Sequence, residues 1–266
     1  MIIYLIVILV IILAVLFFIP SKSNYSNDLL YNKFHSKFKY YNKGKKFDQV
    51  DMVYSIVMPD RKDYMINKLN QLNVNYTLFD AITPSDLSLS DYTALTNSKR
   101  FIDKKTRLPV QLSFTMCYIN AIKNRYTNII VFEDDLIINA DFQTINNSIN
   151  EFTKSNFVMF YMGYCELNCK QPFTIDKLLV NVPDYSKLWC CHSICYKVKY
   201  LPELINYIYP MDNEFDIKII EFLKDKKYKV CIPRTVYFDQ DKKLGTNNET
   251  IYANGKLILS GPTCVI

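Results

Sequence analysis

From Val50 onward, short apolar runs alternate with segments whose apolar positions recur every three or four residues. "VDMVYSIVMPDR" predicts a strand over 50–57, stopped by Pro59, which cannot donate to a ladder. "KDYMINKLNQLN" places Met65, Ile66, Leu69 and Leu72 on one face of a helix. "VNYTLFDAI" is a second strand closed by the turn "TPSD". A β-α-β unit of this length predicts two parallel strands joined by a right-handed crossover. Residues 88–107 are polar and turn-rich, and predict a long loop or lid. "PVQLSFTMCYINAIKNRY" predicts a helix opening at Pro109, with Leu112, Met116, Ile119 and Ala121 or Ile122 on one face. A dense apolar strand, Ile129 to Phe132, follows, then a helix over "DFQTINNSINEFTKS" and a strand over "NFVMFYMGY" that ends at Gly163. Further on, the pattern predicts a short edge hairpin, a strand near Cys190 to Tyr196, a helix from Leu201, a last helix over "EFDIKIIEFLKDKK" and a strand over "YKVCIP". Alternating residues around Asn254-Gly255 are a two-residue hairpin signal. Strands interleaved with helices make the chain α/β, with one mixed, mainly parallel sheet.

The first residues, "MIIYLIVILVIILAVLFFI", carry no charge, Gly or Pro. As a helix they would span about 28 Å, close to the hydrocarbon thickness of a bilayer. There is no basic n-region and no small-residue cleavage site, so residues 1–20 are expected to be an uncleaved, single-pass transmembrane helix. Residues 21–49 form a basic stem with Lys22, Lys33, Lys37, Lys39, Lys43, Lys45 and Lys46, which favours a cytosolic main domain on the positive-inside bias. The main domain is expected over 50–245 and a C-terminal hairpin or tail over 246–266. The net charge of +6 sits largely in the stem, and one short basic stem does not make a nucleic-acid partner. The eight cysteines form no CxxC pair; Cys165 and Cys169, four apart, could suit a disulfide or half a metal site, but without a second matching pair small buried hydrophobes are expected.

With only five glycines there is neither GxGxxG nor GxxxxGK[ST], which argues against a Rossmann dinucleotide site or a P-loop. The chemistry is concentrated instead in "TNIIVFEDDLIIN", where Glu133, Asp134 and Asp135 follow a buried strand at once. Ligands of open α/β sheets bind at the carboxyl ends of strands. On extended backbone Glu133 and Asp135 project to one face and Asp134 to the other. Two carboxylates on one face suit Mn²⁺ or Mg²⁺, and such an ion would relieve their repulsion and attract a diphosphate. The pair Asp239-Gln240 ends the last expected strand and is a rival metal or substrate contact; His192, on the expected strand "CCHSICY", is expected to be a core or edge histidine, with a metal-ligand or acceptor-contact role as the alternative.

These elements resemble glycosyltransferase family 25, which includes lipooligosaccharide and procollagen galactosyltransferases. "IVMPDRKDYM" and "FDAI" are similar to the family's first strand, Arg-containing turn and F-x-A strand. "VQLSFTMCY" followed by the acids resembles G-E-I-x-C-x-x-S-H followed by I-x-E-D-D, and Tyr161-Met162-Gly163, "PMDNEF" and "PRTVYFDQD" resemble later motifs in the same order. Cys117-Tyr118 stands where the family has Ser-His, and Val110 where it has Gly. The resemblance implies a GT-A-like single domain and inverting, metal-dependent transfer from a nucleotide-sugar donor, a UDP-hexose, to a hydroxyl on a glycan or protein acceptor. It implies that Asp135 binds the metal, Glu133 or Asp134 contacts the ribose or a metal-bound water, Arg61 lies near the donor, and Asp212 takes the acceptor proton, with Asp216 or Glu214 as rival bases. It also allows a lumenal domain. The Cys117-Tyr118 departure leaves open a degenerate fold acting as a membrane-tethered interaction protein. A nucleotidyltransferase also needs paired acids, but usually carries a glycine-rich loop that "MPDRKDY" lacks.

Overall fold

The structure is a computed structural model that describes residues 22–103, 105–164, 178–182, 188–244, 252–253 and 256–257. The expected anchor at residues 1–20 lies outside them, as do Cys165, Cys169 and Cys264. Among the described residues no helix is long and apolar enough to cross a membrane.

In chain order the elements are α1 (Lys22–Phe34), β1 (Phe38–Tyr41), β2 (Met52–Val57), α2 (Lys62–Leu72), β3 (Tyr76–Asp80), α3 (Leu89–Leu95), α4 (Lys99–Asp103) and α5 (Arg107–Lys123). They continue with β4 (Asn128–Phe132), β5 (Leu136–Ile138), α6 (Phe142–Lys154), β6 (Met159–Gly163), β7 (Leu179–Asn181) and β8 (Ser193–Lys197). The last are α7 (Leu201–Ile208), α8 (Phe215–Asp225), β9 (Val230–Pro233), β10 (Phe238–Gln240), β11 (Tyr252–Ala253) and β12 (Lys256–Leu257). Eight strands make one sheet in the order β1-β3-β2-β4-β8-β6-β9-β7. β3, β2 and β4 are parallel to one another, as are β6 and β9; β8 runs antiparallel between β4 and β6, and β1 and β7 close the edges antiparallel.

The period of two along each strand sorts the core into two layers. Tyr54, Ile56, Val131, Tyr161, Ile194 and Tyr196 pack with α5, α7 and α8 on one face. Val53, Val57, Ile130, Phe132, Phe160 and Cys195 pack with α2 and α6 on the other. Asn73, in the left-handed conformation with φ 56, ends α2, and the Asp141 carboxylate caps α6 by accepting from the Thr144 N–H at 2.9 Å. The other expected helices and strands are present, most with boundaries shifted by a residue or two; the strand expected from Cys190 begins at Ser193, and in place of the expected edge hairpin β7 pairs antiparallel with β9. The residues flanking Asn254-Gly255 pair as a hairpin, Tyr252 opposite Leu257 and Ala253 opposite Lys256.

Two segments differ from expectation. The basic stem is built into the domain: β1 adds to the sheet edge in register with β3, from Phe38 opposite Phe79 to Tyr41 opposite Tyr76. Leu30, Phe34, Phe38, Phe47 and Val50 are buried. Lys33, Lys37 and Lys39 pair with Asp91, Asp86 and Asp80 at 2.8, 3.1 and 2.5 Å. Much of the stem's charge thus answers the domain's own acids, which weakens it as a guide to membrane orientation. Within 88–107, where a long loop or lid was expected, Leu89–Leu95 and Lys99–Asp103 are helical, as α3 and α4. The Ser88 side chain accepts from the Asp91 N–H and Asp91 reaches back to the Ser88 N–H, a capping box that starts α3. The Met211 carbonyl, from the α7–α8 connection, accepts from Thr96 Oγ1 at 2.6 Å and from the Asn97 N–H at 3.2 Å, which pins this helical pair in place.

Of the described cysteines, Cys117, Cys191, Cys195 and Cys231 are free and buried, as expected of small hydrophobes, while Cys190 is disulfide-bonded.

Gly163 ends β6. A Cβ there would fall on His192 Nε2 and on the Phe238 carbonyl. His192 is buried, and its Nε2 and the Phe238 carbonyl are 3.2 Å apart, so the ring is a packed core histidine that joins β8 to β10. Gly163→Ala should therefore lower stability by about 3 kcal/mol through overpacking. Thermal unfolding checks this, and an unchanged melting temperature would contradict the close packing.

Candidate active site

The sheet delivers Glu133, Asp134 and Asp135 to the carboxyl end of β4, beside β8, where strand direction first reverses on that side. All three are partly buried. Asp134 turns away from the other two. One of its oxygens accepts from the Met58 N–H at 2.8 Å, and the other is 3.0 Å from Arg61 Nη1. Arg61, only 7% exposed, also donates from Nη2 to the Leu244 carbonyl at 3.1 Å. Asp134 and Arg61 therefore join the ends of β2 and β4 to the C-terminal segment.

Glu133 and Asp135 stay on the other side, as the alternation of an extended chain requires. The Gln240 amide lies between them, with Nε2 3.4 Å from Glu133 Oε2 and 3.2 Å from Asp135 Oδ2. Gln240 arrives through a ribbon outside the main sheet, in which β10 pairs antiparallel with β5, Gln240 opposite Leu136. The ribbon is anchored by Tyr64, whose hydroxyl donates to the Leu136 carbonyl at 2.8 Å and to the Asp241 carboxylate at 3.1 Å. The sequence offered Asp239-Gln240 only as rival contacts. The signal that could have found Gln240 is its place as the last residue of the short strand that pairs with Leu136–Ile138.

The electrostatics follow from crowding. Burial, then the charges of Asp135, Asp134 and Asp216, push the Glu133 carboxyl well above the usual carboxylate range, against a smaller opposing effect of Arg61. Burial and the Asp134 charge push Asp135 up to about 6. Among the described residues no three His, Cys, Asp or Glu side chains converge as a metal cage. The chemistry of the donor set nevertheless fits a divalent ion bound mainly by substrate: Asp135 Oδ1 is buried with no hydrogen-bond partner, next to a second carboxylate. Mg²⁺-like ions use one or two carboxylates and leave the remaining positions to water and phosphate oxygens.

The candidate bases separate. Asp212 is exposed, its side chain 58% accessible, and pairs with Lys218 at 3.0 Å. Glu214 pairs with Arg107 and, at 2.7 Å, with Arg100, tying α4 and α5 to the start of α8. Asp216, two residues further on, is the acid whose charge reaches Glu133, Cys191 and Tyr161. Tyr118, at the position of the family's histidine, is fully buried, with its ring 5.0 Å from that of Tyr196 and 6.4 Å from that of Phe215.

The model of glycosyltransferase family 25 (LPS biosynthesis protein) matches residues 52–211, more than half of the chain. The chain belongs to that family. Asp212 and Asp216 lie just past the matched residues, and Gln240 lies further on. No curated protein sequence matches the chain. Among solved structures the chain is similar to 4-diphosphocytidyl-2C-methyl-D-erythritol synthase from Anaerococcus prevotii, at 12% identity over 73% of this chain and 75% of that one, with a TM-score of 0.36.

Two predictions follow from the divided acids. Arg61→Ala and Asp134→Ala should each lower stability by about 3 kcal/mol, because each leaves a buried charge without its partner, and the double variant should lose less than the sum. Urea unfolding of the three variants reads the coupling. Asp135→Asn should have the opposite effect. A carboxyl whose folded value lies above its unfolded one destabilises the fold when ionised. The variant should thus gain about 1–3 kcal/mol in chelator above pH 6, and the gain should fade toward pH 4. Unfolding at pH 7.5 and pH 4 measures it.

Proposed function

We propose that this family 25 member transfers a hexosyl group from a UDP-sugar to an acceptor hydroxyl, with inversion, at the cleft beside Glu133 and Asp135. The observation that carries this reading is the pair of crowded carboxylates with a bare Asp135 oxygen, held apart from the Arg61-bound Asp134. Asp135, assisted by Glu133 and Gln240, would hold Mn²⁺ or Mg²⁺. That ion, when bound, offsets the charge of the departing nucleoside diphosphate. Arg61 and Asp134 position the strand ends that carry the site.

Inversion needs one base opposite the leaving group. Asp216 takes this role in our reading, because its carboxylate reaches the charge of Glu133, whereas Asp212 is held at the surface by Lys218. The base accepts the acceptor hydroxyl proton as that oxygen attacks the anomeric carbon. The acceptor is a glycan or protein hydroxyl. The uncharged run over residues 1–20 supports work at a membrane surface, to which that run would tether the domain.

The test is calorimetric titration of UDP with and without Mn²⁺, followed by transfer assays. UDP should bind only with the ion, and Asp135→Ala should abolish binding. Asp216→Asn should lower kcat by roughly 10²–10⁴-fold with donor binding kept, while Asp212→Asn changes kcat little. Absence of UDP binding by the wild-type protein would remove the reading. The reverse order of the two aspartate effects would return the base role to Asp212. UDP binding with no transfer to any acceptor would favour a degenerate fold.

A further inference from the structure

The turns at the amino ends of the parallel strands gather along one edge of the sheet, opposite the acids. Residues 42–51 lead into β2, 123–127 into β4, 154–158 into β6 and 224–229 into β9. β1 and β8 run the other way and end at the same edge, at Tyr41 and Lys197. Backbone hydrogen bonds hold these turns side by side. The Lys45 N–H donates to the Asn73 carbonyl at 2.7 Å, the Asp51 N–H to the Asn128 carbonyl at 2.9 Å, and the Val198 N–H to the Thr127 carbonyl at 2.9 Å. The Val158 N–H donates to the Lys229 carbonyl at 2.9 Å. From β1 to β9 the edge is about 30 Å wide at the usual strand spacing.

This edge is strongly basic. Lys43, Lys45 and Lys46 stand toward one end of it and Lys227 and Lys229 toward the other, with Arg125 and Lys199 between, all of them exposed. Among the described residues none of these makes an ion pair, unlike Lys33, Lys37 and Lys39 earlier in the stem. Acids in the same turns are fewer, and each is engaged within the fold. Asp51 accepts from the Thr127 N–H at 2.6 Å, Asp48 from the Asn146 amide at 2.8 Å and Asp225 from the Tyr207 hydroxyl at 2.5 Å. The chain also enters at this edge. On α1, Asp28 pairs with Lys123 at 2.5 Å and the Tyr31 hydroxyl accepts from the Asn120 amide at 3.0 Å, both at the end of α5. Lys37, past the other end of α1, reaches Asp86 beyond β3. α1 therefore runs from the basic edge toward the acid end, and the uncharged run over residues 1–20 joins it on the basic side.

We infer that this edge is the face on which the domain rests against an anionic bilayer, and that the cleft opens on the far side, away from the lipid. Lysines at such a surface each strengthen binding about fivefold through the negative headgroups. Nucleic-acid phosphates would offer similar charge; the long apolar run that joins beside the edge favours lipid. β4 alone puts about 17 Å between Asn128 at the basic edge and Glu133 at the cleft. The inference needs no donor or acceptor and so stands apart from the transferase reading. What it adds to that reading is that the acceptor hydroxyl arrives from the aqueous side.

The test uses the full chain, purified in detergent and reconstituted into vesicles of phosphatidylcholine alone or with added phosphatidylserine. Flotation reports association, and a membrane-impermeant acylating reagent with peptide mass spectrometry reports the exposure of each lysine. Lys43, Lys45, Lys46, Lys227 and Lys229 should react about fivefold more slowly on the phosphatidylserine vesicles than on the neutral ones. The difference should vanish at about 1 M salt, where screening shortens the reach of each charge to about 3 Å. Lys242 and Lys243, exposed near the acids, should react alike on both. The triple variant Lys43→Glu, Lys45→Glu, Lys46→Glu should keep its melting temperature in detergent and lose the protection of Lys227 and Lys229 as well, because the edge docks as one surface. Flotation with the phosphatidylserine vesicles alone would also support the inference, since the edge would then bind by charge. Flotation with neither vesicle overturns it. So does equal labelling of the edge on both, which makes it a solvated face, or protection of Lys242 and Lys243 in its place. Protection by an RNA or DNA duplex on neutral vesicles, with none from phosphatidylserine, overturns it in favour of nucleic acid.

Discussion

Three carboxylates on consecutive residues cannot share one partly dry site unless something separates them. The Arg61–Asp134 pair does so here. A guanidinium between two strand ends draws Asp134 to its own side, where the Met58 N–H adds a second hydrogen bond. What remains is a pair, Glu133 and Asp135, on the side that the sheet leaves open. Its repulsion is moderated by the Arg61 charge and by the neutral amide of Gln240. The energetic tension is local and deliberate in its geometry: the charged pair is supported by an ion pair that stands behind it and takes no part in its face. Much of the surrounding architecture can be read as keeping those two arrangements in place, from the Tyr64 hydroxyl under the β5–β10 ribbon to the Leu244 carbonyl on Arg61.

Much of this was legible in the chain. The division of the acids followed from the two-residue period of extended backbone, and the position of the triplet followed from the apolar run Ile129 to Phe132. The two-layer cover of the sheet was legible because α2, α5 and α8 carry apolar residues at helical spacing. What was not legible depends on long-range pairing. β1 is a four-residue strand with only Phe38 buried on it, and the lysines on and before it read as solvated until their acidic partners, 41 to 58 residues away, are in place. The 88–107 region lacks a long apolar stripe. Its helices rest on a capping box and on the Met211 carbonyl, and the second of these is a tertiary contact.

The site shows the same divide. Glu133 and Asp135 were found from local sequence, whereas Gln240 lies 107 and 105 residues from them and is brought in by a ribbon of three residues per strand. Arg61 was expected near the donor. It does reach the site's edge, as a positioning residue joined to Asp134. The family resemblance pointed to "PMDNEF" as the acidic motif of the acceptor half and put Asp212 first, with Asp216 and Glu214 as rivals; our preference for Asp216 runs the other way. That ranking depends on helix phase at the start of α8 and on Lys218, whose ammonium bonds Asp212 at the surface.

The β5–β10 ribbon has a further consequence for how the protein is made. Strands β2 and β4 are synthesised early, yet the amide that sits between Glu133 and Asp135 and the carbonyl that receives Arg61 both come from residues 240–244. A nascent chain can thus assemble most of its sheet while the cleft is still without one wall. During that interval the acids face water with neither companion in place. Completion of the binding surface therefore waits on residues 240–244, which follow most of the sheet in the order of synthesis.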